Sequence, residues 1–172
     1  MFERAAADAV AKVAGVGADQ WHAPTPCTEW DVRQLVDHMR GGPAYLLCAL
    51  GAGPPAATDL ESYRAAVSSC VQALREPGAL DHRCTSPAGF EWTVAEAAAG
   101  TAMDQLVHTW DLAVATGQDR DLDAEVVDAV VAAFLPGMPE VGRAAGIVGP
   151  AGAVAAGASA QDRLLGAMGR HP

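Results

Sequence analysis

The sequence predicts an all-α protein, a four-helix bundle with one long crossover and a short C-terminal extension that is part irregular and part helical. Three observations predict it. The chain is 51% apolar with only 5% aromatic residues, and Ala and Gly dominate it; Ala has the highest helix propensity. Four hydroxyl–acid pairs, Thr28-x-x-Asp31, Thr58-x-x-Glu61, Thr93-x-x-Glu96 and Ser159-x-x-Asp162, each stand ahead of a helical pattern. In such a capping box the hydroxyl takes an amide proton and the acid reaches back to the cap. Finally, 172 residues suit one domain, 1–172, with a core large enough to need no crosslinks.

The elements follow in order. The first helix covers residues 2–16, and the pattern allows an end as late as 21. HAPTPCTEW is a proline-rich turn. The second helix covers 29–51 and is disturbed at Gly41-Gly42-Pro43, because an interior proline removes a backbone hydrogen bond. GAGPPAAT is a loop, and the third helix covers 59–76. Residues 77–92 form a long connection with room for a short hairpin. The fourth helix covers 94–116, with Gly117 just past its end as a C-cap. Gly100 inside it permits close packing on one face. The fifth helix covers 123–135. Residues 136–158 are irregular, with an extended piece at Ile147-Val148, and a short helix near 160–168 closes the chain.

Charge and cysteine content narrow the function classes. The net charge of −10 and pI of about 4.7 argue against nucleic acid and anionic membranes as partners. Cys27, Cys48, Cys70 and Cys84 contain no C-x-x-C pair, so neither a zinc ribbon nor a thioredoxin-type motif is present. Cys48 and Cys70 read as core thiols. The absence of a disulfide framework and the charged start, MFERAAADAV, point to a cytoplasmic protein. Two long uncharged stretches are broken by Gly and Pro and do not read as membrane spans.

The fourth helix carries the chemistry. In TAMDQLVHTWDLAVATG, residues 101–117, Asp104, His108 and Asp111 fall within about a 60° wedge of the helix. Asp104 and His108 are spaced i, i+4, which lets two ligands share one ion. His38 is the candidate third ligand. It follows Thr28 by ten residues, while Asp104 and His108 follow Thr93 by eleven and fifteen. If helices 2 and 4 run parallel, the three sit at nearly the same level. A divalent cation would offset the cost of burying the Asp104 carboxylate. Two histidines and one carboxylate leave open positions, the mark of a catalytic rather than a closed structural site. The bland reading stays open: an ion-paired Asp104 and hydrogen-bonded core histidines. Asp111 reads equally as an acceptor that orients an imidazole and as a helix-pairing or surface residue. Trp30 and Trp110 read as packing residues, Trp21 and Trp92 as candidates for a pocket rim, and His22, His82 and His171 as solvated.

TPCTEWDVRQLVDHM, DQLVHTWDLAVATG and the ending DRLLGAMGRHP resemble three blocks of the DinB/YfiT-like metal-binding family. Within it they are most similar to actinobacterial proteins related to the N-terminal domain of mycothiol-dependent maleylpyruvate isomerase. The resemblance implies a DinB-like four-helix bundle with one divalent metal, Zn²⁺ foremost and Ni²⁺ or another ion as alternatives. Its two histidines fall on His38 and His108 and its acid on Asp104, where the isomerase itself usually has the longer Glu. The implied activity is metal-dependent chemistry on a low-molecular-weight thiol: mycothiol held as its thiolate attacks a small electrophile in S-transfer or isomerisation. The separate C-terminal domain of the isomerase is not matched, so its substrate is not carried over. Two other classes remain open, a metal-assisted hydrolase and a non-catalytic metal- or ligand-binding bundle, with a homodimer compatible with each.

Overall fold

The computed structural model describes residues 1–53 and 58–172, so residues 54–57 of the expected GAGPPAAT loop lie outside the described residues. The described chain is mostly helical. Its helices are α1 (Phe2–Ala14), α2 (Val32–Ala49), α3 (Leu60–Leu74), α4 (Val94–Thr116), α5 (Ala124–Phe134), α6 (Met138–Ala144) and α7 (Ala160–Ala167). A 3-10 turn at Ala79–Asp81 leads into an antiparallel hairpin of β1 (Arg83–Thr85) and β2 (Glu91–Thr93), with Cys84 opposite Trp92.

The local signals explain the helix ends. Thr93 and Glu96 form the expected capping box at the start of α4. Gly117 ends that helix in the left-handed region at φ 71°, where a residue without a Cβ is not strained. Ser159 caps α7 by accepting from the Asp162 amide. Two of the expected caps are corrected. The cap of α2 is Asp31, boxed with Gln34, rather than Thr28, and that of α3 is Asp59, boxed with Ser62, rather than Thr58. In both cases a carboxylate takes the role three or one residues later, and α2 therefore starts at Val32 instead of 29. The amides of Val32 and Arg33, orphaned at the start of α2, donate to the carbonyls of Ala23 and Trp21 in the preceding turn.

The stretch 136–158 is also corrected. It contains α6, and Ile147-Val148 forms no strand. Pro139 sits in the first turn of α6, where its missing N–H costs nothing.

The four longest helices pack around one core: α1 and α2 each contact both α3 and α4. Their directions follow from named contacts. At its C-terminal end α1 meets the end of α4, with Gln118 donating to the Lys12 carbonyl, so these two run parallel. Arg75 at the end of α3 pairs with Glu3 at the start of α1, so that pair is antiparallel. Along α2, His38 lies beside Asp104, and Tyr45 accepts from Trp92 ahead of α4, so α2 and α4 are antiparallel. Helix α4 is central: 16 of its residues are buried, among them Gln105, His108, Thr109 and Asp111. Gly100 does pack closely, since a Cβ there would lie 3.0 Å from the Trp92 ring. The hydrophobic core draws on α1 to α5 and α7 together with Trp92. Cys70 is buried as expected, whereas Cys48 is exposed. No helix among the described residues is long and apolar enough to cross a membrane.

Candidate metal centre

His38 on α2 and Asp104 and His108 on α4 come together. Nε2 of each imidazole lies 3.3 Å from the same oxygen, Oδ1 of Asp104, and one donor atom from each of the three residues lies within 4.8 Å of the others. The parallel arrangement considered for helices 2 and 4 does not hold, yet the residues still meet, because all three lie far from the helix ends. His38 is six residues into α2, and His108 is eight residues from the end of α4. Running antiparallel, these positions fall at nearly the same level.

Burial grades across the cluster. The His38 side chain is 40% exposed, Asp104 35% and His108 10%, so one side is open to small molecules. Trp30 packs against both imidazoles. Its ring centroid is 4.7 Å from that of His38 and 5.7 Å from that of His108. Trp30 thus contacts the site rather than only packing the core. Thr25 shapes the turn that carries Trp30, donating to the Trp30 and Cys27 carbonyls at 2.8 and 3.0 Å. Of the other tryptophans, Trp110 and Trp92 are core residues. Trp21 lies under the Arg33 guanidinium, 5.6 Å from it, and lines a separate groove with Arg40 and Asp59. His22 is exposed and bonds Asp31; His82 and His171 are exposed.

Behind His108 lies a second cluster. Nδ1 of His108 is 2.9 Å from Oδ2 of Asp111, which is fully buried. The Cys27 thiol donates to the same oxygen at 3.2 Å and lies 3.8 Å from Nδ1. Cys27, His108 and Asp111 therefore also satisfy the spacing of a metal-binding group. A cation is already there: Nη2 of Arg170 lies 2.6 Å from Asp111 Oδ2 and 3.0 Å from the Cys27 sulfur, and its Nε lies 3.1 Å from Asp111 Oδ1. The sequence reading named neither Cys27 nor Arg170 as part of a site. Both reach it through irregular segments, with no periodic signal to follow.

The electrostatics match this arrangement. Burial opposes the charge on Asp104, but His108 and His38 more than offset it and hold the carboxyl well below the usual range. Burial likewise disfavours imidazolium at His108. The Asp104 charge and the hydrogen bonds to Asp104, Asp111 and Cys27 outweigh it and raise that pKa well above the ordinary histidine value. Asp111 is held low, against its burial, by His108 and Arg170.

The profile of the mycothiol maleylpyruvate isomerase N-terminal domain family matches residues 2–47. Two relatives, described as uncharacterized proteins of Mycobacterium tuberculosis from strains CDC 1551 and H37Rv, are each 36% identical over 131 residues. The match covers 73% of this chain and 71% of each of theirs. The chain belongs to the mycothiol maleylpyruvate isomerase N-terminal domain family. No solved structure matches. The part of this family member that the profile matches ends just beyond His38; Asp104, His108 and Asp111 lie outside it.

Proposed function

We propose that the chain is a DinB-like four-helix bundle that binds one divalent metal ion, Zn²⁺ foremost, through His38, Asp104 and His108, and acts as a metal-dependent enzyme on a low-molecular-weight thiol. The observation that carries the metal reading is the shared distance from both Nε2 atoms to one Asp104 oxygen, 3.3 Å. Ligands about 2.0–2.1 Å from a tetrahedral ion are separated by about 3.3–3.4 Å along the tetrahedron's edges. The donor set, two imidazoles and one carboxylate, suits Zn²⁺ and also Ni²⁺. It would leave coordination positions free, and the partial exposure of His38 and Asp104 supports access to the site.

Membership of the isomerase N-terminal domain family supports the thiol reading. The bound ion would supply Lewis acidity that holds a thiol as its thiolate at neutral pH. The protein's own part is binding and orientation. Trp30 fixes both rings from one side, Asp111 fixes His108 from behind, and the open side admits the thiol and a small electrophile. Mycothiol is the thiol this family membership favours, and transfer or isomerisation of the electrophile is the reaction class.

Elemental analysis of untagged protein beside His38→Ala tests the metal site. One equivalent of metal in the first and none in the second is expected, and equal metal in both refutes the assignment. Incubation of the loaded protein with mycothiol and a panel of electrophiles, read by mass spectrometry, tests the thiol. Absence of any adduct above background refutes it, and thiol-independent ester turnover would favour a hydrolase instead.

A further inference from the structure

Arg170 lies beyond the last helix, 59 residues from Asp111 in sequence, yet its guanidinium is buried against Asp111, the carboxylate that faces Nδ1 of His108. The tail is built to put it there. Gly169 takes φ 83°, and a Cβ at that position would lie 3.0 Å from the Pro150 carbonyl. The Arg170 amide donates to the Leu165 carbonyl at 2.9 Å, and its Nη1 donates to the Met168 carbonyl at 2.7 Å. Two further donors fork onto the two oxygens of Asp111, and one of them also reaches the Cys27 sulfur. Only 16% of the Arg170 side chain is exposed, and none of the Asp111 side chain is.

This arrangement constrains His108. A carboxylate pinned by a planar fork is held in place, and its Oδ2 faces both Nδ1 of His108 at 2.9 Å and the Cys27 thiol at 3.2 Å. In the neutral form that a metal ligand must take, the ring carries its proton on Nδ1 and leaves Nε2, the nitrogen turned toward Asp104, free to ligate. The same guanidinium is the cation that already pairs with Asp111 and the Cys27 sulfur, two of the three members of the Cys27–His108–Asp111 group.

We propose that Arg170 is a positioning residue for the His38–Asp104–His108 site: as the resident cation of the Cys27–His108–Asp111 cluster, it holds Asp111 against Nδ1 of His108 and keeps a metal ion away from the Cys27 thiol. The proposal rests on the metal-binding reading above, and it assigns the C-terminal tail a part in the site.

The test uses Co²⁺ as probe in the full-length wild type and Arg170→Gln, with circular dichroism to compare folding. In the wild type, one Co²⁺ binds without a thiolate-to-cobalt absorption band. In Arg170→Gln, affinity falls by about 10- to 100-fold, the range for loss of groups that orient a ligand. A thiolate band appears as the ion reaches Cys27, and it disappears when Cys27→Ser is added. Arg170→Gln binding Co²⁺ as tightly as the wild type, with no thiolate band, overturns the proposal while leaving the metal site intact. Wild-type protein that binds no Co²⁺ overturns the metal reading. A metal-free measurement keeps Arg170 testable even then. A downfield, slowly exchanging His108 Nδ1 proton is expected by NMR in the wild type, and its absence overturns the proposal whether or not Arg170→Gln folds.

Discussion

Replacing Gln105 with Leu should unsettle the centre of the fold. Pro43 lies inside α2 and has no N–H, so the Met39 carbonyl four residues earlier lacks its helical partner. Gln105 on α4 supplies one: its Nε2 donates to that carbonyl at 2.9 Å, and its Oε1 accepts from the Tyr63 hydroxyl on α3 at 2.6 Å. Met39, Tyr63 and Gln105 are all 0% exposed, so water cannot replace either bond. Leu fills nearly the same volume but leaves two buried polar groups unpaired, each costing about 1–3 kcal/mol. The expected loss is thus about 4 kcal/mol, or roughly 8–16 °C in Tm for a chain of this size. Urea denaturation followed by circular dichroism, with chelator present so that metal linkage does not enter, measures it. Tyr63→Phe sharpens the test. In the wild type it orphans the Gln105 oxygen and destabilises; in Gln105→Leu it removes an orphaned hydroxyl and stabilises by about 1–3 kcal/mol. If Tyr63→Phe has the same sign in both backgrounds, or Gln105→Leu costs less than about 0.5 kcal/mol, a scale typical of surface changes, the network does not bridge the gap left by Pro43.

Adjacent glycines in α2 should respond in opposite directions. Gly41→Ala meets nothing within 4 Å and should stabilise by about 0.5–1 kcal/mol. Gly42→Ala would place its Cβ 2.9 Å from the Thr101 methyl, which cannot easily turn away because Thr101 is bonded to the Ala97 carbonyl. An overpacking cost of about 1–3 kcal/mol should outweigh the helix gain, and the paired urea midpoints decide it. Acid should destabilise the protein through its helix caps. Asp31, Asp59 and Glu96 have pKa values lowered chiefly by the backbone amides they accept from. A lowered folded-state pKa gives stability that is present above the unfolded value and is lost as pH falls through the folded one. Tm should therefore fall between about pH 5 and pH 2, and less steeply in Asp59→Asn, which keeps a cap but does not titrate. An unchanged slope in that variant would refute the assignment. Thiol accessibility should follow burial: Cys48 is exposed, whereas burial pushes the Cys70 thiol up to about 12. Alkylation at pH 8 followed by peptide mapping should label Cys48 rapidly and Cys70 only on unfolding, and equal rates would contradict the packing of α3.

Legibility in the sequence stopped where signals ceased to lie within one helix. Residues 94–116 were readable end to end because Thr93, Glu96 and Gly117 mark both termini locally. Asp104, His108 and Asp111 were readable as a wedge because one helix carries all three. His38 required a statement about two helices at once, and its mid-helix position made that statement insensitive to helix direction. The α2 cap was misplaced because Thr28 and Asp31 both satisfy the chemistry of a cap; the bridge between Pro24 and Asp31 selects the acid. The turn 24–31 also brings both Trp30 and Cys27 against His108, and it is held by Thr25 hydrogen bonds that have no periodicity to detect. Arg170 is the extreme case. Asp111 could be suspected as an acceptor from its place on α4, but the charge that makes burying it tolerable comes from the tail and depends on a left-handed glycine and a turn onto Leu165. A buried carboxylate facing a histidine is therefore best read as half of a pair. Its missing cation is to be sought first among the arginines of segments that show no secondary-structure pattern, because there only tertiary contacts decide where the guanidinium lies.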